Sequence, residues 1–273
     1  ELYIAAWLHD CGKVATPPHV VDKGTKLETI FDRIELVKTR MEILKRDAEI
    51  DFLKRQLNGS VPDYDDEYRN SIKPIDENIK FIECCNIGGE FMKPELQEKI
   101  KSISEQKLLL NNERVNILTE NEVRNLNITK GTLLPEERDI INDHISITID
   151  MLEQLPYPKN LKNIPEFAGG HHEKMDGTGY PKGLKADQMS PQAKIMAIAD
   201  IYEALTAADR PYKDGKKLSQ AMRIMGFMKN DYHIDEDLFE IFVSSGVYKH
   251  YADEHVASGQ IDDVDEKAIL GVK

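Results

Sequence analysis

The chain has 273 residues and a formal net charge of −13, with 40% hydrophobic and 31% charged residues. The acidic balance argues against nucleic acid as a partner, because binding to phosphate backbones requires a basic surface. The length predicts one large domain or two small ones. Three cysteines, Cys11, Cys84 and Cys85, lack the spacing of a disulfide framework and indicate a reducing, cytoplasmic environment. Because we find no signal peptide and no apolar run of about eighteen residues, we expect no membrane segment.

The first residues predict the end of a buried helix that leads into polar side chains. Residues 2–8 are almost entirely apolar and are followed by His9, Asp10 and, after Gly12, Lys13. Neither His9 nor Asp10 is cheap to bury without a partner. They either interact with the helix dipole and a loop or face a bound cation, and Lys13 is close enough to reach an anion held there. Because the chain begins without Met inside this helix, we expect it to be part of a longer protein.

A long helical segment follows a loop at residues 14–25. Its apolar residues are alternately three and four apart, which is the heptad pattern of a coiled coil or a helical hairpin. The stripe consists of Leu27, Ile30, Ile34, Val37, Met41, Leu44 and Ala48. A second helical pattern at 71–87 is expected to pack back on the first, and Pro94 predicts the start of a further helix. Residues 108–133 show no clear periodicity.

Two helices in the second half place polar residues on apolar faces. A helix is predicted at 135–155, with His144 on its inward stripe. A lone histidine there is usually a satisfied core residue, but the other His and Asp clusters make it a candidate ligand. Ser190 predicts the N-cap of a helix over 191–205. Asp200 lies on a stripe of small residues in that helix, where a carboxylate requires a cation or strong hydrogen bonds.

The densest polar stretch is residues 171–181, with the sequence HHEKMDGTGYP. Neutral imidazole is the commonest metal ligand, and carboxylates suit hard divalent ions. The glycines permit close approach to the main chain, and Pro181 restrains the exit from the loop. The alternative interpretation is a polar surface turn with two solvated histidines.

The remaining chain predicts three amphipathic helices within 217–257 and a loosely ordered acidic stretch at 262–266. Arg210 and Lys213 follow the helix that carries Asp200 and place two cations nearby. We expect the remaining histidines to lie on the surface, because they have no matching neighbours. These are His19, His233, His250 and His255. No strand pattern emerges, so the sequence predicts an all-α fold.

Six candidate metal ligands come from helix ends and inward faces along the chain. They are His9, Asp10, His144, His171, His172 and Asp200. A set of nitrogen and oxygen ligands without thiolate suits two divalent ions such as manganese or iron better than one structural zinc. The corresponding chemistry is hydrolysis of a phosphate ester, because two metals ~3.5–4 Å apart can stabilise both the attacking and the leaving oxygen.

These residues resemble the motifs of the HD-GYP family, the bacterial cyclic-dinucleotide phosphodiesterases within the HD phosphohydrolase superfamily. The resemblance covers residues 1–25 and about 108–257. It is carried by His9-Asp10 with Lys13, His144, the 171–181 stretch, Asp200 and Arg210-Pro211-Tyr212-Lys213. It implies an HD-type helical bundle and a centre of two or three iron or manganese ions. The implied activity is hydrolysis of cyclic di-GMP to pGpG or GMP, with 3',3'-cyclic GMP-AMP as an alternative substrate.

The resemblance also implies roles for individual residues. The six candidate ligands would hold the metals, with Asp10 and Lys13 taking part in catalysis and Lys13 contacting a substrate phosphate. The substrate site would be lined by Gly179, Tyr180, Pro181, Arg210 and Lys213. Members of the family usually have an additional ligand His, and sometimes a Glu, on a helix upstream of the His-Asp pair, and we expect that helix to precede the first residue of this chain.

The motif positions predict the domain organisation. Residues 1–25 and 108–257 are expected to form the catalytic domain, interrupted by a helical insertion at 26–107 and followed by an acidic tail at 258–273. The insertion is expected to serve in homodimerisation or in coupling to an N-terminal sensor domain. Two alternatives remain for the function. One is a phosphohydrolase acting on linear nucleotides, which the GYP loop disfavours, and the other is a degenerate receptor that binds a cyclic dinucleotide or signalling partner without turnover.

Overall fold

The computed structural model describes residues 1–59, 64–89, 91–207 and 215–271. Its helices are α1 Leu2–Leu8, α2 Pro18–Val21, α3 Ile34–Leu57, α4 Tyr64–Asn86, α5 Pro94–Ser104, α6 Glu120–Leu126, α7 Pro135–Asn142, α8 His144–Glu153, α9 Ile164–Gly169, α10 Pro191–Thr206, α11 Leu218–Asn230, α12 Glu236–Ser244, α13 Val247–His255 and α14 Glu266–Leu270. Its strands are β1 Lys107–Leu110 and β2 Glu113–Asn116. The predicted all-α class is confirmed. Among the described helices, none combines the length and the apolar character needed to cross a bilayer.

The chain divides into two compact units. The first unit consists of Glu1–Pro17 and Asp139–Lys273, and the second unit consists of Pro18–Arg138. The predicted insertion at 26–107 lies within the second unit. That unit also takes in the residues up to 138, because β1, β2 and α6 contribute to the same core as α3, α4 and α5. The role of the insertion in dimerisation or sensor coupling stays a prediction.

In the second unit, α3 and α4 form an antiparallel hairpin, as the two apolar patterns predicted. Lys38 Nζ lies 3.1 Å from a carboxylate oxygen of Glu83 near one end. The rings of Phe52 and Tyr68 lie 6.5 Å apart near the other end. Since the position numbers rise on α3 as they fall on α4, these pairs establish the antiparallel register.

The first part of the heptad stripe is not helical. The helix α3 begins only at Ile34, and Ile30 is 94% exposed although Leu27 is buried. The Asp32 carboxylate accepts hydrogen bonds from the Ile34 main-chain N–H at 2.9 Å and from Asn86 Nδ2 at 2.8 Å. A side-chain acceptor of this kind stabilises a turn before the helix, and an apolar period alone does not reveal it.

The expectation that no strand is present is wrong for one short hairpin. β1 and β2 pair antiparallel, with Lys107 opposite Asn116. The two residues at the turn, Asn111 and Asn112, have φ values of 49° and 66°, and asparagine tolerates this left-handed region better than most residues. Leu108 faces the core of the second unit. Strands of four residues are too short to show a clear alternating pattern.

The first unit contains two apolar clusters that share α10. One packs α1, α8 and α9 against Met196, and the other packs α11 to α13 against Ile198 and Tyr202. The Tyr202 hydroxyl donates a 2.7 Å hydrogen bond to the carbonyl of Tyr248. As predicted, α10 begins with a cap, because Ser190 Oγ accepts a hydrogen bond from the main-chain N–H of Ala193. This shared helix carries Asp200.

The predicted helix at 135–155 is two helices. α7 ends at Asn142 and α8 begins at His144, with Asp143 between them. At this break the His144 imidazole pairs with the carbonyl of Ile141 through Nδ1. The interruption therefore brings His144 to the start of a helix, whereas a continuous pattern had placed it in the middle.

The predicted helices within 217–257 are confirmed as α11, α12 and α13, but the tail after them is ordered. Asp262 accepts hydrogen bonds from the main-chain N–H and the hydroxyl of Ser219, both at 2.8 Å. Ile269 and Leu270 of α14 pack against the core formed by α11 to α13. The prediction of a loosely ordered acidic stretch at 262–266 is wrong, because Asp262 is hydrogen-bonded to Ser219 and Val264 packs, partly buried, against the same core.

Candidate metal centre

Four parts of the first unit bring the predicted ligands to one place. His9 follows α1, His144 begins α8, His171 follows α9, and Asp200 lies on α10. All four helices contribute residues to one apolar cluster, which holds these segments together. Asp10 comes directly after His9 and lies among the other side chains.

The Asp10 carboxylate is at the centre of the group. Its Oδ1 lies 3.1 Å from His144 Nε2 and 4.0 Å from His171 Nε2. Its Oδ2 lies 3.3 Å from His9 Nε2. The same His9 nitrogen lies 3.6 Å from Asp200 Oδ1. The two oxygens of Asp10 thus face different histidines.

Three of the histidines have the same orientation. Each uses Nδ1 to contact the carbonyl three residues earlier. The pairs are His9 with Ala6 at 2.7 Å, His144 with Ile141, and His171 with Ala168 at 2.6 Å. Because a carbonyl only accepts hydrogen bonds, Nδ1 donates and Nε2 faces the centre. Metal-binding histidines in proteins are commonly held in this way.

Three buried atoms at the centre have no hydrogen-bond partner in the part of the chain that the structure describes. They are Asp10 Oδ1, His144 Nε2 and His171 Nε2. Leaving a buried polar atom unpaired costs roughly 1–3 kcal/mol. Three such atoms pointing at one another require a common partner, and a metal ion is the partner that a carboxylate oxygen and two imidazole nitrogens share.

Two overlapping groups of side chains could each hold an ion. One consists of His144, His171 and His172, and the other of His9, Asp10 and His171. Within each group the possible ligand atoms lie within 4.8 Å of one another. The donors are nitrogen and oxygen without thiolate, so the set fits a divalent ion such as manganese or iron.

The pKa values of the histidines differ because their surroundings differ. The neighbouring carboxylates of Asp10 and Asp200 raise the pKa of His9 to about 10. Burial lowers the pKa of His172 to about 3, with His171 contributing in the same direction, and burial also lowers the pKa of His171. His171 and His172 are therefore neutral, as metal ligands must be. At His9 a bound cation would displace a proton held between two carboxylates.

The carboxyl groups are ionised. Burial by itself raises the pKa of Asp10, but the neighbouring His144, His9 and Lys13 outweigh it and hold the pKa well below its usual range. The pKa of Asp200 is also lowered against the effect of burial, with His9 as the largest favourable neighbour. Anionic carboxylates and neutral imidazoles are the protonation states that bind divalent metals.

The turn that carries Lys13 is held tightly against α8. The main-chain N–H of Gly12 donates a 2.9 Å hydrogen bond to Oγ1 of Thr148, which is fully buried. A Cβ atom at Gly12 would collide with the carbonyl oxygen of His144. Lys13 Nζ forms an ion pair with Asp10 Oδ2. Thr148 lies one helical turn after His144 on the predicted inward stripe, but it was not among the predicted site residues.

The glycine-rich loop folds back on the ligands that precede it. A Cβ atom at Gly179 would lie only 2.5 Å from Cα of Glu173, so only glycine fits there. The ring of Tyr180 stacks on the His172 ring at 4.9 Å with an interplanar angle of 24°. Gly179, Tyr180 and Pro181 are therefore next to the centre, and their predicted role in substrate binding stays a prediction.

Two predicted substrate-site residues, Arg210 and Lys213, lie outside the residues that the structure describes. The exposed histidines are His19, His250 and His255, as predicted. His233 is half-buried, and burial lowers its pKa, so its predicted surface position is wrong.

A family model described as the HD domain matches residues 119–238. This segment of the chain is therefore similar to an HD domain. The 3'3'-cGAMP-specific phosphodiesterase 1 of Vibrio cholerae is 41% identical over 80 residues, which cover 29% of this chain and 18% of that protein. A cyclic di-GMP phosphodiesterase of Pseudomonas aeruginosa is 41% identical over 92 residues, covering 33% of this chain and 22% of that protein.

A cyclic di-GMP phosphodiesterase of Thermotoga maritima is 40% identical over 93 residues, covering 34% of this chain and 25% of that protein. The matched segments thus span a quarter or less of the length of these three relatives. Together with the motifs, these matches confirm the resemblance to the HD-GYP family.

Proposed function

We propose that the first unit is the catalytic unit of a metal-dependent phosphodiesterase that hydrolyses a cyclic dinucleotide, either cyclic di-GMP or 3',3'-cyclic GMP-AMP. The observation that carries the proposal is the convergence of the three buried, unpaired atoms of Asp10, His144 and His171. The names of the relatives support the substrate class. A cytoplasmic location is part of the proposal, and the three free cysteines are consistent with it.

The proposed cofactor is two or three iron or manganese ions. The six residues that would hold them are His9, Asp10, His144, His171, His172 and Asp200. Divalent metals in such a site lower the pKa of water and withdraw charge from phosphate oxygens.

The chain's own residues supply orientation and charge. The carbonyls behind His9, His144 and His171 aim their Nε2 atoms at the centre. Asp10 presents one oxygen to His144 and the other to His9, so it would be a central residue among those that hold the metals. Lys13 Nζ lies beside Asp10, where its ammonium can pair with an oxygen of an incoming phosphodiester and stabilise the charge that develops there.

The proposal is tested by metal analysis beside turnover. Protein reconstituted with Fe(II) or Mn(II) would be incubated separately with cyclic di-GMP, 3',3'-cyclic GMP-AMP and linear pGpG. We expect at least two metal ions per chain and hydrolysis of a cyclic dinucleotide. Hydrolysis of only the linear nucleotide would favour the general phosphohydrolase. Binding of a cyclic dinucleotide without turnover at full metal content would favour the receptor.

Replacing Lys13 with alanine is expected to lower turnover by about 10²–10³-fold, the usual effect of removing one charge-stabilising group from a preorganised site. The metal content should stay near that of the unmodified protein, because a lysine ammonium is not a metal ligand at neutral pH. The measurement is kcat and KM beside elemental analysis of the same preparation.

Lys162→Ala is the matched control, because Lys162 is an exposed lysine of the first unit outside the metal centre. It should leave turnover unchanged. A Lys13→Ala protein that loses its metals, or that keeps full turnover, would contradict the role given to Lys13.

A further inference from the structure

Glu173 follows the two histidines of the motif directly, yet its carboxylate does not join them. The side chain is buried, with 1% of its surface exposed. Its Oε1 accepts a 2.7 Å hydrogen bond from the main-chain N–H of Lys182, and its Oε2 accepts a 2.8 Å hydrogen bond from the main-chain N–H of Leu184. Both oxygens are thus bound by the far side of the same loop, residues 173–184.

Further contacts bring the middle of this loop back to its first residues and to His172. The main-chain N–H of Tyr180 donates a 3.2 Å hydrogen bond to the carbonyl of His172. Gly179 packs directly on the main chain of Glu173 and Lys174. In this loop the Tyr180 ring lies on the His172 ring.

The Glu173 side chain points its carboxylate at main-chain N–H groups, unlike the side chains of the candidate ligands. A buried carboxylate is costly unless its charge is satisfied, and charge-assisted hydrogen bonds from two main-chain N–H groups provide this. In the described part of the chain, neither group of possible metal ligands includes Glu173. The Glu173 carboxylate therefore binds the main chain of the loop and is not a candidate metal ligand.

We propose that Glu173 is a positioning residue that closes the 173–184 loop and, through the stacked ring of Tyr180, sets the orientation of His172 as a ligand. The role of His172 as a ligand rests on the proposed function. The closure of the loop and its effect on metal affinity can be measured without any turnover, so this proposal and the proposed activity can fail separately.

The first experiment measures hydrogen exchange in Glu173→Gln. A glutamine side chain has nearly the same size, but its NH₂ group cannot accept a hydrogen bond, so one of the two main-chain N–H groups loses its partner. We expect faster exchange at Lys182 and Leu184, with unchanged exchange in α8 and α10. Glu153→Gln is the matched control, because Glu153 is exposed at the end of α8. Unchanged exchange at both amides would overturn the role of Glu173 in closing the loop.

The second experiment measures Mn(II) affinity in Glu173→Gln, Tyr180→Ala and the double variant. Removing a group that orients a ligand typically lowers metal affinity by on the order of 10–100-fold. If Glu173 acts through Tyr180, the two losses should not add, and the double variant should resemble Tyr180→Ala. Tyr180→Phe keeps the stacked ring and should retain the affinity of the unmodified protein.

Additive losses, or unmodified affinity in Tyr180→Ala, would overturn the proposal. The Tyr180→Ala measurement also decides the matter if Glu173→Gln does not fold, because the coupling to His172 passes through that ring. A protein with no turnover, but with the expected exchange and affinities, would contradict the proposed activity and leave the role of Glu173 standing.

Discussion

Replacing Asp10 with asparagine is expected to remove most of the bound metal and to lower turnover by on the order of 10³-fold or more. Asp10 presents its two oxygens to different histidines, at 3.1 Å from His144 Nε2 and 3.3 Å from His9 Nε2. Asparagine has the same size, but it has no negative charge and only one oxygen. A loss of bound metal and of turnover in Asp10→Asn would therefore result from weaker metal binding and not from altered packing. Elemental analysis and steady-state kinetics on the same preparation provide the measurement.

The control for Asp10→Asn is Asp253→Asn, which removes one negative charge from an exposed position on α13. It should change neither metal content nor rate. Asp200→Asn should resemble Asp10→Asn, because Asp200 Oδ1 lies 3.6 Å from the same His9 Nε2 atom. Full metal content and full rate in Asp10→Asn would show that Asp10 is not a ligand.

Replacing Gly12 with alanine is expected to destabilise the first unit by about 3 kcal/mol, because overpacking of a well-packed site costs up to this amount or more. The new methyl group would collide with the carbonyl of His144 and lie 2.7 Å from the main-chain nitrogen of Thr148. Both are main-chain atoms of a helix, so the turn that carries Asp10 must move. The midpoint of thermal unfolding should fall by roughly 6–12 °C.

The same displacement should lower metal affinity, because Asp10 and His144 come from the two segments that would be forced apart. The matched control is Gly259→Ala, since a Cβ atom at Gly259 would meet no other atom within 4 Å. That variant should unfold at nearly the temperature of the unmodified protein. Unchanged stability and unchanged metal affinity in Gly12→Ala would mean that the close packing of this turn on α8 has no role in forming the centre.

Gly12 and Glu173 both lie next to candidate ligands and contact main-chain atoms there. Gly12 allows the turn that carries Asp10 to pack closely on α8. Glu173 closes the loop whose Tyr180 ring stacks on His172. In both cases the group near the ligand binds main chain and not metal. Metal sites commonly depend on such supporting contacts nearly as much as on the ligands themselves.

Much of the helical architecture could be predicted from local patterns. The capping residue Ser190 and the apolar period determined α10, and the polar Asp200 on its small-residue face was recognisable as a group needing a partner. The paired patterns of α3 and α4 predicted their hairpin. These features depend on residues within one or two helical turns, which is the range over which helix propensity and capping act.

The wrong predictions concern segments whose structure depends on contacts with residues distant in sequence. Asp32 and Asn86 form the turn that delays the start of α3, although they are far apart in the chain. The tail after α13 is ordered because Asp262 and the α14 side chains find partners on α11. The apolar periodicity within a segment cannot predict hydrogen bonds or packing contacts with residues far away in the chain.

The sequence by itself determined which side chains could bind metal, because histidines and carboxylates on apolar faces or in a glycine-rich loop are costly without a partner. Only the tertiary structure decided which of their atoms meet. It turns the Nε2 atoms of His144 and His171 toward Asp10 Oδ1 and turns the Glu173 carboxylate away to the main chain. The physical reason is that residue type sets what an atom can bind, whereas the packing of α1, α8, α9 and α10 sets the direction in which that atom points.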